Sequence, residues 1–487
     1  MNKSMIRYLL SKLLLIEAVL LLVPVAIAVY YRESSQVFTA LFSTIGILVL
    51  LGGSGSLQKP KNQRIYAKEG VLIVALCWIL WSFFGGLPFV FAGQIPSVID
   101  AFFEISSGFT TTGASILNDV SVLSRSLLFW RSFTHLIGGM GVLVFALAIM
   151  DNAKNSHLEV MKAEVPGPVF GKVVSKLKNT AQILYLLYLA LFSLFVIIYY
   201  LAGMPLFDSF VIAMGTAGTG GFTVYNDGIA HYGSSLIAHY GSSLITYLVS
   251  IGVLVFGVNF NLYYYLMLRR VKAFFGDEEL RAYLVIVLVS TALISLNTLY
   301  LYPGFSKSFE MDFFQVSNII TTTGFGYGDT TNWSLFSQFI LLFLMAIGGS
   351  AGSTAGGLKI IRGLILSEIA KNQILSILSP HRVLTLHVNQ TVIDKDTQHK
   401  ILKYFVIYSM ILLALIFIVS LDSNDFLIVT SAVFSCFNNI GPILGTTSSF
   451  SIFSPISKIL LSFAMIAGRL EIYPILLLFM KRTWSKR

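Results

Sequence analysis

Long apolar runs alternate with short polar interruptions along almost the whole chain. Runs of roughly 18 or more apolar residues, enough to cross a hydrocarbon core of about 30 Å, recur from Leu13–Tyr31 through to Ile456–Met480. About ten such runs predict an all-α integral membrane protein. Between paired runs a module repeats: an Asp, a short apolar helix, a Gly-bearing polar stretch, then a second span. Its copies are "DAFFEISSGFTTTGAS" from Asp100, "DSFVIAMGTAGTGGFT" from Asp208, "DFFQVSNIITTTGFGYGD" from Asp312 and the more divergent "DFLIVTSAVFSCFNNIGPILG" from Asp425. One copy alone reads as an ordinary Gly-containing turn, but four at matching positions make a repeat. It divides the chain into a two-helix N-terminal extension, 1–68, and four units at 69–155, 156–270, 271–385 and 386–487.

In each copy Asp precedes Gly by a dozen residues or slightly more, about 18 Å of helix and so only half a span. The Asp suits an outer N-cap, which leaves the partially negative C-terminal end pointing into the membrane, where it attracts cations. The chain must then return in extended form, with glycine at Gly113, Gly220, Gly324 and Gly441 allowing the tight backbone. Such backbone survives at membrane depth only inside protein or along a water-filled path. Four loops on one axis present a ring of carbonyl oxygens that can replace the hydration shell of a monovalent cation. The prediction is four pseudo-symmetric helix–pore-loop–helix repeats around one pore. Without a ring of carboxylates, divalent cations are excluded.

Charge settles orientation and removes one class of function. The 487 residues are 56% hydrophobic and 11% charged, against roughly 25% charged in soluble domains. The formal net charge of +10 is gathered in clusters at Lys59–Lys68, Lys162–Lys178, Arg269–Arg281, Lys371–Lys395 and Lys481–Arg487, each two spans from the next. The intervening loops are acidic. By the positive-inside rule the basic loops and both termini are cytoplasmic, so the excess marks topology and a nucleic-acid partner is excluded. The first apolar run is longer than a leader's hydrophobic core and is read as retained. Cys77 and Cys436 have no spacing suggestive of a disulfide or a metal site.

Beyond the third loop the span "QFILLFLMAIGGSAGSTAGGLKIIRGLIL" is interrupted by Gly348, Gly349, Ser350, Ala351, Gly352, Ser353, Thr354, Ala355, Gly356 and Gly357. So many small residues weaken a helix, which predicts a broken span whose loop plugs the path and moves. Gly138, Gly139 and Gly141 read instead as close helix packing. Arg469 lies in an apolar span, where an ionisable residue is a functional hypothesis by default; it is expected to face the path and hold the loop. A pair with Glu471 or a snorkelling anchor is the structural alternative. Glu17 and His135 are weaker cases, His135 reading as a hydrogen-bonded core residue. The tandem "IAHYGSSL" at Ile229–Leu236 and Ile237–Leu244 reads as a duplication in a tolerant loop, not as a ligand pair at His231 and His239.

With "TGFGYGD" at Thr323–Asp329, "IGGMG" at Ile137–Gly141, "EVPGP" at Glu164–Pro168, "GGSAGSTAGGLK" at Gly348–Lys359 and "AGRLEIYP" at Ala467–Pro474, the chain resembles the Trk/Ktr/HKT superfamily of potassium transporters from about residue 70 onward. The two extra N-terminal spans resemble the Trk membrane subunit more than the shorter Ktr one. The resemblance implies a filter lined by main-chain carbonyls of Thr111, Thr112 and Gly113, with Thr219 and Gly220, Thr323 and Gly324, and Ile440 and Gly441 as counterparts. It implies potassium as the transported ion with no organic cofactor, Gly348–Gly357 as the gating loop, which Arg469 is read to hold, a homodimer in membrane lipid, and a cytosolic nucleotide-binding ring of TrkA type. The expected role is potassium uptake across a bacterial inner membrane, driven by a potential that supplies about 2.3 kcal/mol per charge per 100 mV.

Two enzymatic or nucleotide-binding readings fail on the residues. An intramembrane aspartyl protease built on "GYGD" needs a second carboxylate facing Asp329, and no span offers one. A phosphate loop at Gly348–Gly357 lacks both the preceding strand and the G-x-x-x-x-G-K-[ST] match.

Overall fold

A computed structural model describes residues 1–63, 65–141, 177–234, 243–326, 330–379, 385–389, 391–446 and 448–484. The chain opens with α1 (Lys3–Leu20), which runs on into α2 (Leu22–Tyr30), and returns through α3 (Ser35–Ser56). The small residues of "LGGSGS" decide how closely α1 and α3 approach: a Cβ on Gly52 would press on Leu15 and the Ser11 carbonyl, and one on Gly55 would collide with the Ser11 side chain. This is the backbone approach that small residues permit between membrane helices.

Four units follow, each with a long helix, a short helix, an extended stretch and a second helix. The long helices are α4 (Ala67–Phe91), α7 (Leu177–Leu201), α11 (Glu278–Thr298) and α15 (Lys395–Val419). The short ones are α5 (Val98–Phe109), α8 (Leu206–Gly218), α12 (Phe305–Ile320) and α16 (Phe426–Phe437); at 1.5 Å per residue they reach about 18–24 Å, less than a full crossing. The second helices are α6 (Arg125–Gly139), α9 (Ser243–Phe256) with α10 (Phe260–Met267), α13 (Leu335–Ile347) with α14 (Ile360–Leu378), and α17 (Pro455–Arg469) with α18 (Tyr473–Phe479). A hairpin of β1 (His387–Val388) and β2 (Thr391–Val392) precedes α15, and a few single-turn helices are left unlabelled.

Among the described residues six helices, with α1 and α2 counted together, are long and apolar enough to span a membrane. The remaining expected spans are the second helices, which end or break where they pass the ends of the short ones. The α9–α10 pair bends by 90°. Gly138 near the end of α6 lies against the Phe109 carbonyl, Gly257 beside Thr321, and Gly468 against the Phe437 carbonyl, each without room for a Cβ. Beyond Gly141, residues 142–176, which hold the "EVPGP" motif, are outside the described residues.

The aspartates open the short helices differently from the expectation. Asp425 is the N-cap of α16, accepting from Leu427 and Ile428 N–H, but α5 is capped by Ser97 and α8 follows Pro205. α12 begins at Phe305 after Gly304, leaving Asp312 well inside it. Upstream signals start these helices early, and the freed carboxylates turn sideways. Asp100 pairs with Lys458 at 2.7 Å, Asp208 accepts from Tyr232 at 3.2 Å, and Asp312 accepts from Thr298 and Ser308 at 2.8 and 3.0 Å. Each ties a short helix to a neighbouring element.

Candidate ion path and its gate

All four short helices end the same way. The N–H groups of Thr112, Gly220, Thr323 and Ile440 donate five residues back, to the carbonyls of Ser107, Gly215, Asn318 and Ser435, at 2.8–2.9 Å. The residue just before each is left-handed: Thr111, Thr219, Thr322 and Asn439 have φ of 53 to 58°. This is the six-to-one closure of a Schellman C-cap, with Thr or Asn where glycine is usual. Left-handed geometry in a β-branched residue is a genuine outlier and costs about 1–3 kcal/mol each time. A glycine with positive φ follows two residues later, at Gly113, Gly221, Gly324 and Gly441.

That pattern corrects the second loop by one residue. Gly221, with φ 74°, is the counterpart of Gly113, and Gly220 is the counterpart of Thr112. Gly220 is small for another reason: a Cβ there would strike the His135 ring. The third and fourth triplets likewise begin at Thr322 and Asn439, one residue before the stretch read from sequence.

The four triplets close on one another. A Cβ on Gly113 would collide with the Gly220 carbonyl, one on Gly221 with Thr323 O, one on Gly324 with Ile440 O, and one on Gly441 would press on Thr112 O. The ring therefore runs through the units in order and returns to the first. Thr112, Thr323 and Ile440 are fully buried, and among the described residues their carbonyl oxygens accept no hydrogen bond. These oxygens lie at helix C-termini, which carry partial negative charge.

Each loop is braced from behind. Glu104, buried in α5, accepts from Ser115 Oγ at 2.9 Å and Ile116 N–H at 2.9 Å, and is ion-paired to buried Arg131 at 2.6 Å. Arg131 also lies over the Phe222 ring at 3.4 Å. His135 stacks on Phe222 at 4.2 Å, and its Nδ1 meets the Gly108 carbonyl at 2.8 Å, which fits a core histidine. In the third unit the Asn318 carbonyl accepts from Thr323 and Gly324 N–H. The fourth replaces threonine hydroxyls with amides: Asn439 donates to Thr112 Oγ1 at 3.0 Å and Met465 O at 2.9 Å, while Asn438 accepts from Tyr408 at 2.8 Å. A cavity of about 350 Å³, lined in part by Gly113, Asn118, Gly221, Gly324 and Gly441, opens on the far side of the ring.

The interrupted span lies on the opposite side. Gly348 and Gly357, with φ 73 and 77°, approach so closely that a Cβ on either would collide with the other strand of the loop. The loop between them is packed against three units. Ser350 N–H donates to Gly257 O at 3.1 Å, and Gly352 O accepts from Phe260 N–H at 3.0 Å, at the break between α9 and α10. Gly356 N–H donates to Thr322 Oγ1 at 2.6 Å, and Gly356 abuts the Asn438 carbonyl. Arg469 donates to Thr354 O at 2.6 Å and to the carbonyls of Gly138 and Gly139 at 2.6 and 2.5 Å. Its guanidinium thus joins the loop to the C-terminal end of α6, whereas Glu471 pairs with Arg362 at 2.5 Å. Buried Lys359, which also has positive φ, adds a second cation beside the loop and donates to Ala355 O.

Gly221, Thr322, Asn439 and Lys359 are absent from the sequence-based site. The φ pattern that singles them out follows each helix's end, and "GTGGF" offers two adjacent glycines with nothing in composition to choose between them. Tyr327, Gly328 and Asp329 of "TGFGYGD", and His239 of the second "IAHYGSSL", are outside the described residues. In the first copy His231 stacks on Tyr225 at 3.6 Å and meets Asp227 at 3.2 Å.

A family model described as TrkH, a cation transport protein, matches residues 34–486. The Trk system potassium uptake protein TrkG of Escherichia coli is 31% identical over 95% of both chains. Its counterpart TrkH from Salmonella typhimurium is 30% identical over 96% of both. The crystal structure of the potassium transporter TrkH from Vibrio parahaemolyticus superposes with a TM-score of 0.88 over the full length of both chains, at 28% identity. These relatives are transporters and not enzymes. With four repeated loops closing on one another through their backbone, and with likeness along nearly its whole length, this chain belongs to the TrkH family of cation transport proteins.

Proposed function

We propose that this chain is the membrane-embedded subunit of a potassium uptake system of a bacterial inner membrane. Potassium is the transported ion, passing through main-chain carbonyls of Thr111–Gly113, Thr219–Gly221, Thr322–Gly324 and Asn439–Gly441. The observation that carries this reading is the closed ring of four loops, three of which hold a buried carbonyl oxygen, at Thr112, Thr323 and Ile440, that accepts no hydrogen bond among the described residues. Such oxygens replace the hydration shell of a bare alkali cation, and no carboxylate belongs to the ring triplets. The relatives' names as potassium uptake proteins support the same ion.

The loop at Gly348–Gly357 acts as the gate. Its contact with Thr322 and Asn438 puts it against the ring, and Arg469 fastens it while adding positive charge that repels a cation. Basic loops facing the cytoplasm support docking of a TrkA-type nucleotide-binding ring on a dimer of this chain, with the nucleotide bound by that partner. The test is rubidium uptake into proteoliposomes holding this chain alone, under an imposed potential. Uptake competed strongly by potassium and weakly by sodium is expected; absence of any cation flux overturns the reading. Flux that follows potential alone marks channel-like flow, and dependence on a proton or sodium gradient marks symport.

A further inference from the structure

Glu279 lies in the first turn of α11 and is buried, although Glu278 beside it is exposed. Its Oε1 accepts from Ala351 N–H at 2.8 Å and from Ile361 N–H at 3.1 Å. Ala351 belongs to the gate loop, and Ile361 to the first turn of α14, where amides have no partner within the helix. One carboxylate oxygen therefore joins the loop to the helix that leaves it.

The start of α11 is itself held by the hairpin. Asn389, in the turn between β1 and β2 with φ 50°, donates to Asp277 Oδ2 at 2.6 Å and accepts from Glu278 N–H at 2.7 Å. Asp277 caps α11 through Leu280 N–H at 2.8 Å. Ala351 and Ile361 also share an apolar cluster with Leu386, Val388 and Ile393 of the hairpin segment. The hairpin is thus tied to the start of α11, and its segment belongs to the same apolar cluster as the loop.

We propose that Glu279 is the positioning residue that holds the gate loop closed, and that the hairpin is the handle through which the cytoplasmic side releases it. This rests on the gate reading above. The test measures rubidium flux per folded chain in proteoliposomes together with hydrogen exchange of the Ala351 amide. Glu279→Ala should raise flux on the order of tenfold through loss of two hydrogen bonds, and should expose that amide. Glu279→Gln, which keeps an acceptor oxygen, should stay near the parent. Asn389→Ala, at an exposed turn, should raise flux in the same direction but less. Potassium preference should be unchanged in all three, since the carbonyl ring is untouched.

A folded Glu279→Ala protein with parental flux and a protected Ala351 amide overturns the proposal. Should that variant not fold, Asn389→Ala decides: parental flux and exchange overturn the handle and its clamp together. Deleting residues 348–357 separates the two readings. A rise in flux on deletion but not in Glu279→Ala leaves the gate standing and removes the clamp, and no rise in either removes both.

Discussion

Threonine in the left-handed region is strained, yet three of the four loops place one at the first position of the triplet, at Thr111, Thr219 and Thr322. Thr322 shows what holds it there, since its hydroxyl accepts from the Gly356 amide of the 348–357 loop. The glycines carry a sharper test, because the two in the second loop are small for different reasons. Gly113→Ser and Gly221→Ser each force a side chain at positive φ into a neighbouring carbonyl, so both should lower the potassium-to-sodium permeability ratio measured with competing ions. An unchanged ratio in both would remove these glycines from the filter. Gly220→Ala should act through packing, costing about 1–3 kcal/mol of stability as an overpacked contact with His135. In a double-mutant cycle, His135→Ala should recover most of that loss in thermal unfolding; additive losses would show that the ring is not what excludes a side chain.

At the scale of elements, the half-length helices were legible because an apolar segment of a dozen residues between Asp and Gly can only reach midway. The role of the Asp was not, because Ser97, Pro205 and Gly304 begin three of these helices upstream and a lone carboxylate does not announce whether it caps or pairs. The interrupted span was legible from its density of small residues, and its partners were not, since Thr354 O, Gly138 O and Gly139 O are main-chain groups from separated segments. Arg469 gathers all three. Removing the guanidinium leaves buried carbonyls unpaired, at about 1–3 kcal/mol each, and frees the loop. Arg469→Ala should therefore raise rubidium flux, and Arg469→Lys should raise it less, because an ammonium keeps the charge but not the planar fork. Equal, parental flux in both folded variants would mean that this side chain only fastens α17.

For the molecule as a whole, the decisive feature is that the ring is completed within one chain. Unit one meets unit two, two meets three, three meets four, and four returns to one. In a channel assembled from four subunits the path exists only in the assembly, whereas here each protomer should own a complete path whatever its oligomeric state. The contacts of Arg469 with Thr354 O and of Lys359 with Ala355 O are made within one chain, so closure too should be a property of the single protomer. Protein reconstituted at fewer than one chain per vesicle should still load rubidium, with the fraction of active vesicles rising in proportion to protein and with the potassium preference unaltered. If activity instead climbs with the square of protein density, the path or its opening requires a second copy. A dimer would then be part of the conducting unit, and the intrachain ring would describe only half of the apparatus.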